Sequence, residues 1–246
     1  ALEWFEKVPE RNLSLDELTE KRFKEGYSFF KQDRFSEAKR SFAYLTEIEN
    51  RYYVPANYYF SHLSYEEGNL ETALKGFERI KDDERFAAIV PYYIMQIYFL
   101  QERYQEVIDY GPALLDSAEI KKEFEVARII GESFYNLKKY EEAVPYLAKY
   151  NAGPAQKNRD DYYQLGFAHY KSENYNEAIE EFNLVTNEKD KMGQLASYHM
   201  GDCYMKLDNK KYARNAFKES SQLDFDTAVK EDALFSYAKL AYELSA

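Results

Sequence analysis

One short phrase recurs along this chain at a nearly fixed interval. An aromatic residue or Leu leads into a small anchor, and an apolar residue follows four positions later. The anchors are Ala38, Ala73, Val107, Ala143, Ala178 and Ala213, separated by 35, 34, 36, 35 and 35 residues. Phe35-Ser36-Glu37-Ala38 with Phe42 is one copy, and Tyr175-Asn176-Glu177-Ala178 with Phe182 is another. Twelve residues before each anchor stands a second marker: Gly26, Ser61, Met95, Gly131, Gly166 and Gly201. Three residues after that marker come Phe29, Ser64, Tyr98, Phe134, His169 and Tyr204. A period of this length marks stacked supersecondary units, none of which can bury its apolar face alone. With only 9 Gly and 6 Pro in 246 residues, the units read as helices rather than short strands joined by tight turns. Small residues sit where the two helices of a unit cross and let the backbones approach. The large residue one turn on fills the groove beside that contact.

The pattern resembles the tetratricopeptide repeat, a helix-turn-helix unit with a small residue on each helix, and the resemblance covers nearly the whole chain. It implies an all-α fold: a right-handed α-solenoid of stacked antiparallel helix pairs spanning 1–246. Six full repeats fall at about 19–53, 54–87, 88–123, 124–158, 159–193 and 194–227. Ala1, Phe5 and Val8 match the spacing of Ala73, Phe77 and Ile80, so 1–13 reads as a half-repeat, and 228–246 reads as a first helix without its partner. The chain is therefore expected to be a segment of a longer array, with self-association possible through its ends. Ser14-Leu15-Asp16-Glu17 reads as a capping box opening the first full repeat. The third repeat departs from the pattern, with Met95 and Val107 at both small positions and Gly111-Pro112 inside its second helix, which predicts a bend there. Pro145 is expected in the first turn of its helix, where proline is tolerated.

Residues with chemical potential are few and scattered. The net charge of −11 disfavours nucleic acid and favours a neutral or basic partner. His199 and Cys203 lie four apart on one helix, half of a metal site, with only Asp202 beside them. His62 and His169 stand elsewhere, and His169 takes a signature aromatic position, so all three histidines read as packing residues and no metal or cofactor is expected. Asp82-Asp83 and Asp160-Asp161 read as loop or N-cap residues rather than an acid–base pair. No Gly-rich phosphate loop, nucleophile elbow or paired-cysteine motif occurs, and the short connections leave no room for a catalytic domain, so an enzyme is not expected. One Cys says little about redox compartment, and no apolar run approaches the ~18 residues of a membrane span.

The resemblance also points to a surface. In arrays of this family, repeat positions 5, 6, 9 and 12 of the first helices line a concave face. Repeat 1 places Phe23, Tyr27 and Phe30 there, and repeat 2 places Tyr58, Tyr59, His62 and Tyr65. Repeat 3 gives Tyr92, Tyr93, Gln96 and Phe99. Repeat 4 gives Arg128, Glu132 and Tyr135. Repeat 5 gives Tyr163, Phe167 and Tyr170, and repeat 6 gives Tyr198, His199, Asp202 and Met205. Fourteen of the twenty-four positions are aromatic, where about four would follow from the chain's overall aromatic content of 17%. Tyrosine suits recognition because it offers rigid area and a polar tip. Tyr27, Tyr58, Tyr59, His62, Tyr65, Tyr92, Tyr93, Gln96, Arg128, Tyr163, Phe167 and Tyr170 are the partner-binding candidates. The same pattern is open to a blander reading, in which neighbouring helices cover these rings. The family's carboxylate clamp of Lys, Asn and Arg is not supported, because those positions are mostly aromatic here. The chain thus reads as a protein-interaction scaffold for a peptide or protein segment, with a glycan or small-molecule binder as the alternative. Resemblance to Tyr-rich, acidic envelope arrays implies a bacterial protein of the periplasm, the cytoplasm being the other reading.

Overall fold

The computed structural model describes residues 5, 7–116 and 122–245. Among them are thirteen α-helices, a short 3₁₀ turn at Glu10–Asn12, and no strand. The helices are α1 (Leu15–Phe30), α2 (Phe35–Leu45), α3 (Tyr53–Glu66), α4 (Leu70–Glu78), α5 (Val90–Leu100), α6 (Tyr104–Leu115), α7 (Glu123–Asn136), α8 (Tyr140–Asn151), α9 (Arg159–Lys171), α10 (Tyr175–Asn183), α11 (Lys191–Lys206), α12 (Lys210–Ser221) and α13 (Thr227–Glu243). The expected all-α class holds, and the first and second helices of each repeat alternate along the chain. The contacts divide into two compact units. The first is residues 1–106 with 116–121, and the second is 107–115 with 122–246. The division falls inside the third repeat, the one with Met95 and Val107 in place of small markers. In the first unit, consecutive helices pack from α1 to α5. In the second they pack from α7 to α13, with further contacts of α9 on α11 and α11 on α13.

The pairing of helices rests on a notch and a ring. At Gly26 an added Cβ would lie 2.9 Å from the Phe42 ring. At Gly131 it would lie 2.8 Å from Leu147, at Gly166 3.0 Å from Phe182, and at Gly201 2.6 Å from Phe217. In every case the incoming residue stands four positions after the small anchor of the second helix. Its ring or branch occupies the volume that a side chain on the first helix would need. The second repeat solves the same problem in reverse. Ser61 replaces the glycine of the first helix, and Gly76 appears on α4, where a Cβ would come 2.0 Å from the Ser61 hydroxyl. In the first repeat the equivalent of Gly76 is Ser41, which faces Gly26. The small residue has moved across the contact.

The turn inside each repeat is equally regular. Asp33, Gly68, Glu102, Lys138, Glu173 and Asp208 all have φ between 55° and 77°. Each follows a first helix as its left-handed C′ residue, and the next N–H reaches back to close a Schellman turn. Arg34 N–H donates to Phe29 O at 3.0 Å, Asn69 to Ser64 at 2.8 Å, Arg103 to Tyr98 at 2.9 Å, Lys139 to Phe134 at 2.9 Å, Asn174 to His169 at 2.9 Å and Asn209 to Tyr204 at 2.8 Å. The six acceptors are the residues found three positions after each marker, so that place serves both packing and turn closure.

Caps and clips finish the helices. Ser14 Oγ accepts from Glu17 N–H, and the Glu17 carboxylate accepts from Ser14 N–H at 2.9 Å, which completes the expected capping box. Asn158 and Asp161 form a second one at the start of α9. Pro145 is a correction: it lies in the second turn of α8, inside the helix, rather than in the first turn. α6 likewise continues through Pro112 to Leu115. Two polar residues then fasten a first helix to the start of the next first helix in the second unit. The Arg159 guanidinium donates to Asp190 at 2.6 Å and to Val185 O at 2.6 Å. The Arg159 bond to the carboxylate, with that from Gly193 N–H, holds the Asp190 carboxyl at about 2. One repeat on, fully buried Gln194 donates to Leu223 O at 2.9 Å and accepts from Asp226 N–H at 2.8 Å.

The reversed notch is testable. Gly76→Ala should destabilise the chain by ~1–3 kcal/mol, the usual cost of overpacking, and Ser61→Gly in the same chain should recover most of that loss. Urea unfolding of the two singles and the double would show it. Simple additivity of the two effects would rule out the shared notch.

Candidate functional site

The rings of the first helices are organised by the second-helix residue four positions after each anchor. Phe42, Phe77 and Phe182 are fully buried. Each lies between a ring at position 5 of its own repeat and one at position 6 of the next. Phe42 meets Phe23 at 5.8 Å and stacks on Tyr59 at 5.2 Å, 17°. Phe77 meets Tyr58 at 6.3 Å and stacks on Tyr93 at 5.0 Å, 6°. Phe182 meets Tyr163 at 5.7 Å and stacks on His199 at 5.8 Å. Tyr59, Tyr93 and His199 thus serve as mortar between repeats.

The other candidates divide between the two units. In the first unit, Tyr27 is 37% exposed and meets Tyr59 edge-on at 5.6 Å. Tyr58 stacks on Phe86 at 4.7 Å, a neighbour the repeat positions did not reveal. Tyr65 meets Tyr93 edge-on at 5.3 Å, and its hydroxyl donates to Gln96 Oε1 at 3.5 Å. Gln96 Nε2 in turn donates to the Tyr92 hydroxyl at 2.8 Å. Tyr92 itself is buried at 6% exposure, so its ring is core and only its hydroxyl belongs to the face. A cleft of about 550 Å³ opens beside these rings, lined by Phe30, Phe35, His62, Leu63, Glu66 and Glu67. Its walls combine apolar rings with carboxylates at one edge. Lys39 pairs with Glu67 at 2.5 Å, and Glu66 is exposed. Phe35, Glu66 and Glu67 were not candidates on sequence grounds, because they lie at helix ends, outside the four repeat positions.

In the second unit, Tyr163, Phe167 and Tyr170 surround His199, with ring centroids 6.4, 5.2 and 5.1 Å from it. Burial among them drops the His199 pKa to about 4. Burial also pushes the Tyr135 and Tyr170 hydroxyls up to about 12, and the Tyr170 hydroxyl donates to Asp202 at 3.2 Å. Arg128 is held in an acidic fork, with Glu125 at 3.2 Å and Glu132 at 2.8 Å. Its charge is therefore balanced locally. Burial raises the Glu132 carboxyl above its ordinary range against the pull of Arg128.

Cys203 is buried, and burial pushes its thiol up to about 12, far from a reactive thiolate. Among the described residues no three His, Cys, Asp or Glu side chains come together as a metal site, and no helix is long and apolar enough to cross a membrane.

Solved structures share this architecture. YrrB, described as a TPR protein with an unusual peptide-binding site, aligns at a TM-score of 0.62 and 21% identity, over 78% of this chain and 96% of that one. It has the tetratricopeptide-repeat fold. The C-terminal part of a TPR repeat-containing protein from Cytophaga hutchinsonii aligns at 0.54 and 16% identity, over 89% of this chain and 95% of that one. MamA from Desulfovibrio magneticus aligns at 0.51 and 20% identity, over 69% and 94%. No family model matches the chain, and no curated protein does. Within the tetratricopeptide-repeat fold, the notch-and-ring contact of Gly26 with Phe42 and its equivalents is what places the rings of the first helices.

Buried His199 gives this site a pH signature. Below about 6.5, the ordinary histidine value, the unfolded chain takes up a proton that the folded chain refuses until about pH 4. Stability is therefore full above pH 6.5 and falls as pH drops toward 4, at up to ~1.4 kcal/mol per pH unit from this group. Urea unfolding across that range should show a steeper slope for the parent than for His199→Phe, and equal slopes would show that His199 is not held neutral.

Proposed function

We propose that the chain is a protein-interaction scaffold that captures a peptide segment on the aromatic face of its first helices. The observation that carries this is the cleft in the first unit. It is deep enough to take one apolar side chain between Phe30, Phe35, His62 and Leu63, with the exposed Glu66 at its edge. Tyr27, Tyr58, Tyr65 and Gln96 extend the same face with rigid area and polar tips. Tyr163, Phe167 and Tyr170 offer a comparable aromatic surface in the second unit. Tyr27 and Phe30 are held against Tyr59, and Tyr65 against Tyr93, rings that themselves stack on buried phenylalanines, so a ligand meets a preformed surface and little ordering cost remains at binding. The edge carboxylates and the net charge of −11 favour a partner with Lys or Arg beside its apolar anchor. The peptide-binding site described for YrrB is in keeping with this use of the fold.

Selection from a random peptide library should enrich an apolar residue flanked by Lys or Arg. Fluorescence anisotropy with the enriched peptide should then show Phe35→Ala and Glu66→Lys each weakening Kd about tenfold, the equivalent of ~1.4 kcal/mol, while the thermal midpoint stays within a few degrees. Undiminished binding by both variants would place the site elsewhere, and selective binding of a glycan panel in place of peptides would replace the peptide reading.

A further inference from the structure

One second-helix ring lacks the partner that its equivalents have. Phe42, Phe77 and Phe182 each stack on a residue at position 6 of the next first helix, Tyr59, Tyr93 and His199 in turn. Phe217 has the neighbour from its own repeat, Tyr198 at 5.7 Å. The next first helix is α13. Its Ala233, Tyr237 and Leu240 pack on Ala213 and Phe217, as Ala196, Met200 and Cys203 of α11 pack on Ala178 and Phe182. That correspondence gives Ser236 the place that His199 holds on α11. A hydroxymethyl group stands where the other helices put a ring.

A cleft of about 440 Å³ opens at this place between α11, α12 and α13, with Phe217 and Ser236 in its lining. Met205, Lys210, Lys239, Leu240 and Glu243 line it too. They stand at the repeat positions of Phe30, Phe35, His62, Leu63 and Glu66, which line the first-unit cleft. There, α4 and α5 follow α3 and leave the cleft open. Phe42 is outside that lining, because Tyr59 covers it, whereas the second cleft reaches Phe217. Asp202 and Asp232 complete its walls. The Tyr170 hydroxyl donates to Asp202 at 3.2 Å, and the Tyr198 hydroxyl donates to Asp232. Burial raises the Asp202 carboxyl above its ordinary range, and neighbouring Asp232 pushes it the same way. Lys210 is tied to Glu243 at 3.1 Å, which leaves two acids against Lys239 in the lining. We propose that this cleft is a second binding site, which takes an aromatic side chain of a partner peptide with a Lys or Arg next to it. The partner's ring occupies the space of the missing position-6 ring, against Phe217 and beside Tyr198. A ring suits that space because its walls are themselves rings. The adjacent cation meets the Asp202 and Asp232 carboxylates, and the surplus acid selects a base over an acid. None of the side chains of the first-unit cleft takes part.

Titration of the isotope-labelled 246-residue chain with the blocked dipeptide acetyl-Phe-Lys-amide, followed by NMR amide shifts, tests the site. Saturable shifts should appear at Phe217, Ser236 and Lys239. Acetyl-Phe-Glu-amide and acetyl-Ala-Lys-amide should each bind about tenfold more weakly. Ser236→Tyr supplies the missing ring from the chain itself, so it should abolish these shifts and raise the thermal midpoint. Asp202→Asn with Asp232→Asn keeps an acceptor for both tyrosine hydroxyls, and it should remove the preference for Lys over Glu. Phe35→Ala alters only the first-unit cleft and should leave the titration unchanged, so the two sites stand or fall separately. A parent that shows no saturable shifts at these residues overturns the proposal. Binding that survives Ser236→Tyr, binding of the Glu peptide equal to that of the Lys peptide, or loss of the titration in Phe35→Ala does so as well.

Discussion

A buried ring from each second helix organises this molecule. Phe42, Phe182 and Phe217, with Leu147 in the fourth repeat, enter the space left by a missing side chain on the first helix of their own repeat, and Phe77 holds the same place beside Ser61 and Gly76. Phe42, Phe77 and Phe182 then stack on a ring or imidazole of the following repeat. One side chain thus fixes the distance between two helices and the orientation of a third. A buried aromatic of this size contributes several kcal/mol through burial and packing. Its loss would remove two contacts together, one within the repeat and one between repeats. That coupling lets a stack of short helices, each marginal alone, behave as a cooperative array.

The order of the rings follows from this contact. A first-helix residue at position 6 is drawn onto the neighbouring phenylalanine and becomes partly buried. A residue at position 9 or 12 lies beyond that phenylalanine and meets the position-6 ring instead, as His62 and Tyr65 meet Tyr93 and Tyr170 meets His199. Tyr59, Tyr93 and His199 belong to the first class; His62, Tyr65 and Tyr170 belong to the second. The aromatic excess of the chain therefore goes into packing repeat against repeat, and what that packing leaves uncovered is the face proposed for recognition.

Much of this was legible in the sequence. The spacing of the anchors identified the helix pairs, because a period near 35 residues has few structural meanings. Ser14 and Glu17 announced a helix start through a local rule that needs no tertiary context. Other features depended on partners far along the chain. Tyr92 occupies a face position by count, yet its ring is in the core, because neighbours that repeat arithmetic does not specify cover it. The notch moved from Gly26 on one first helix to Gly76 on the next second helix, and each glycine alone looks unremarkable. The left-handed turn residues are mostly Asp, Glu and Lys, so the usual glycine signal was missing at five of six turns. The inner face of α13 is displaced by two residues relative to the repeat period, since Ala233 takes the place that Ala196 holds on α11.

The exchange between Ser61 and Gly76 also bears on how such a chain can change in length. A first helix with glycine at its marker suits a second helix with a larger residue opposite. A first helix with serine there requires glycine opposite. Joining the first helix of the second repeat to the second helix of the first would set Ser61 against Ser41, with no gap for either. Joining the opposite halves would set Gly26 against Gly76 and lose the contact that Ser41 makes there. Crossovers inside a pair are thereby penalised, and crossovers between pairs preserve each matched contact. For the second repeat, the matched unit is therefore the whole helix pair, defined by which of its two helices carries the missing side chain.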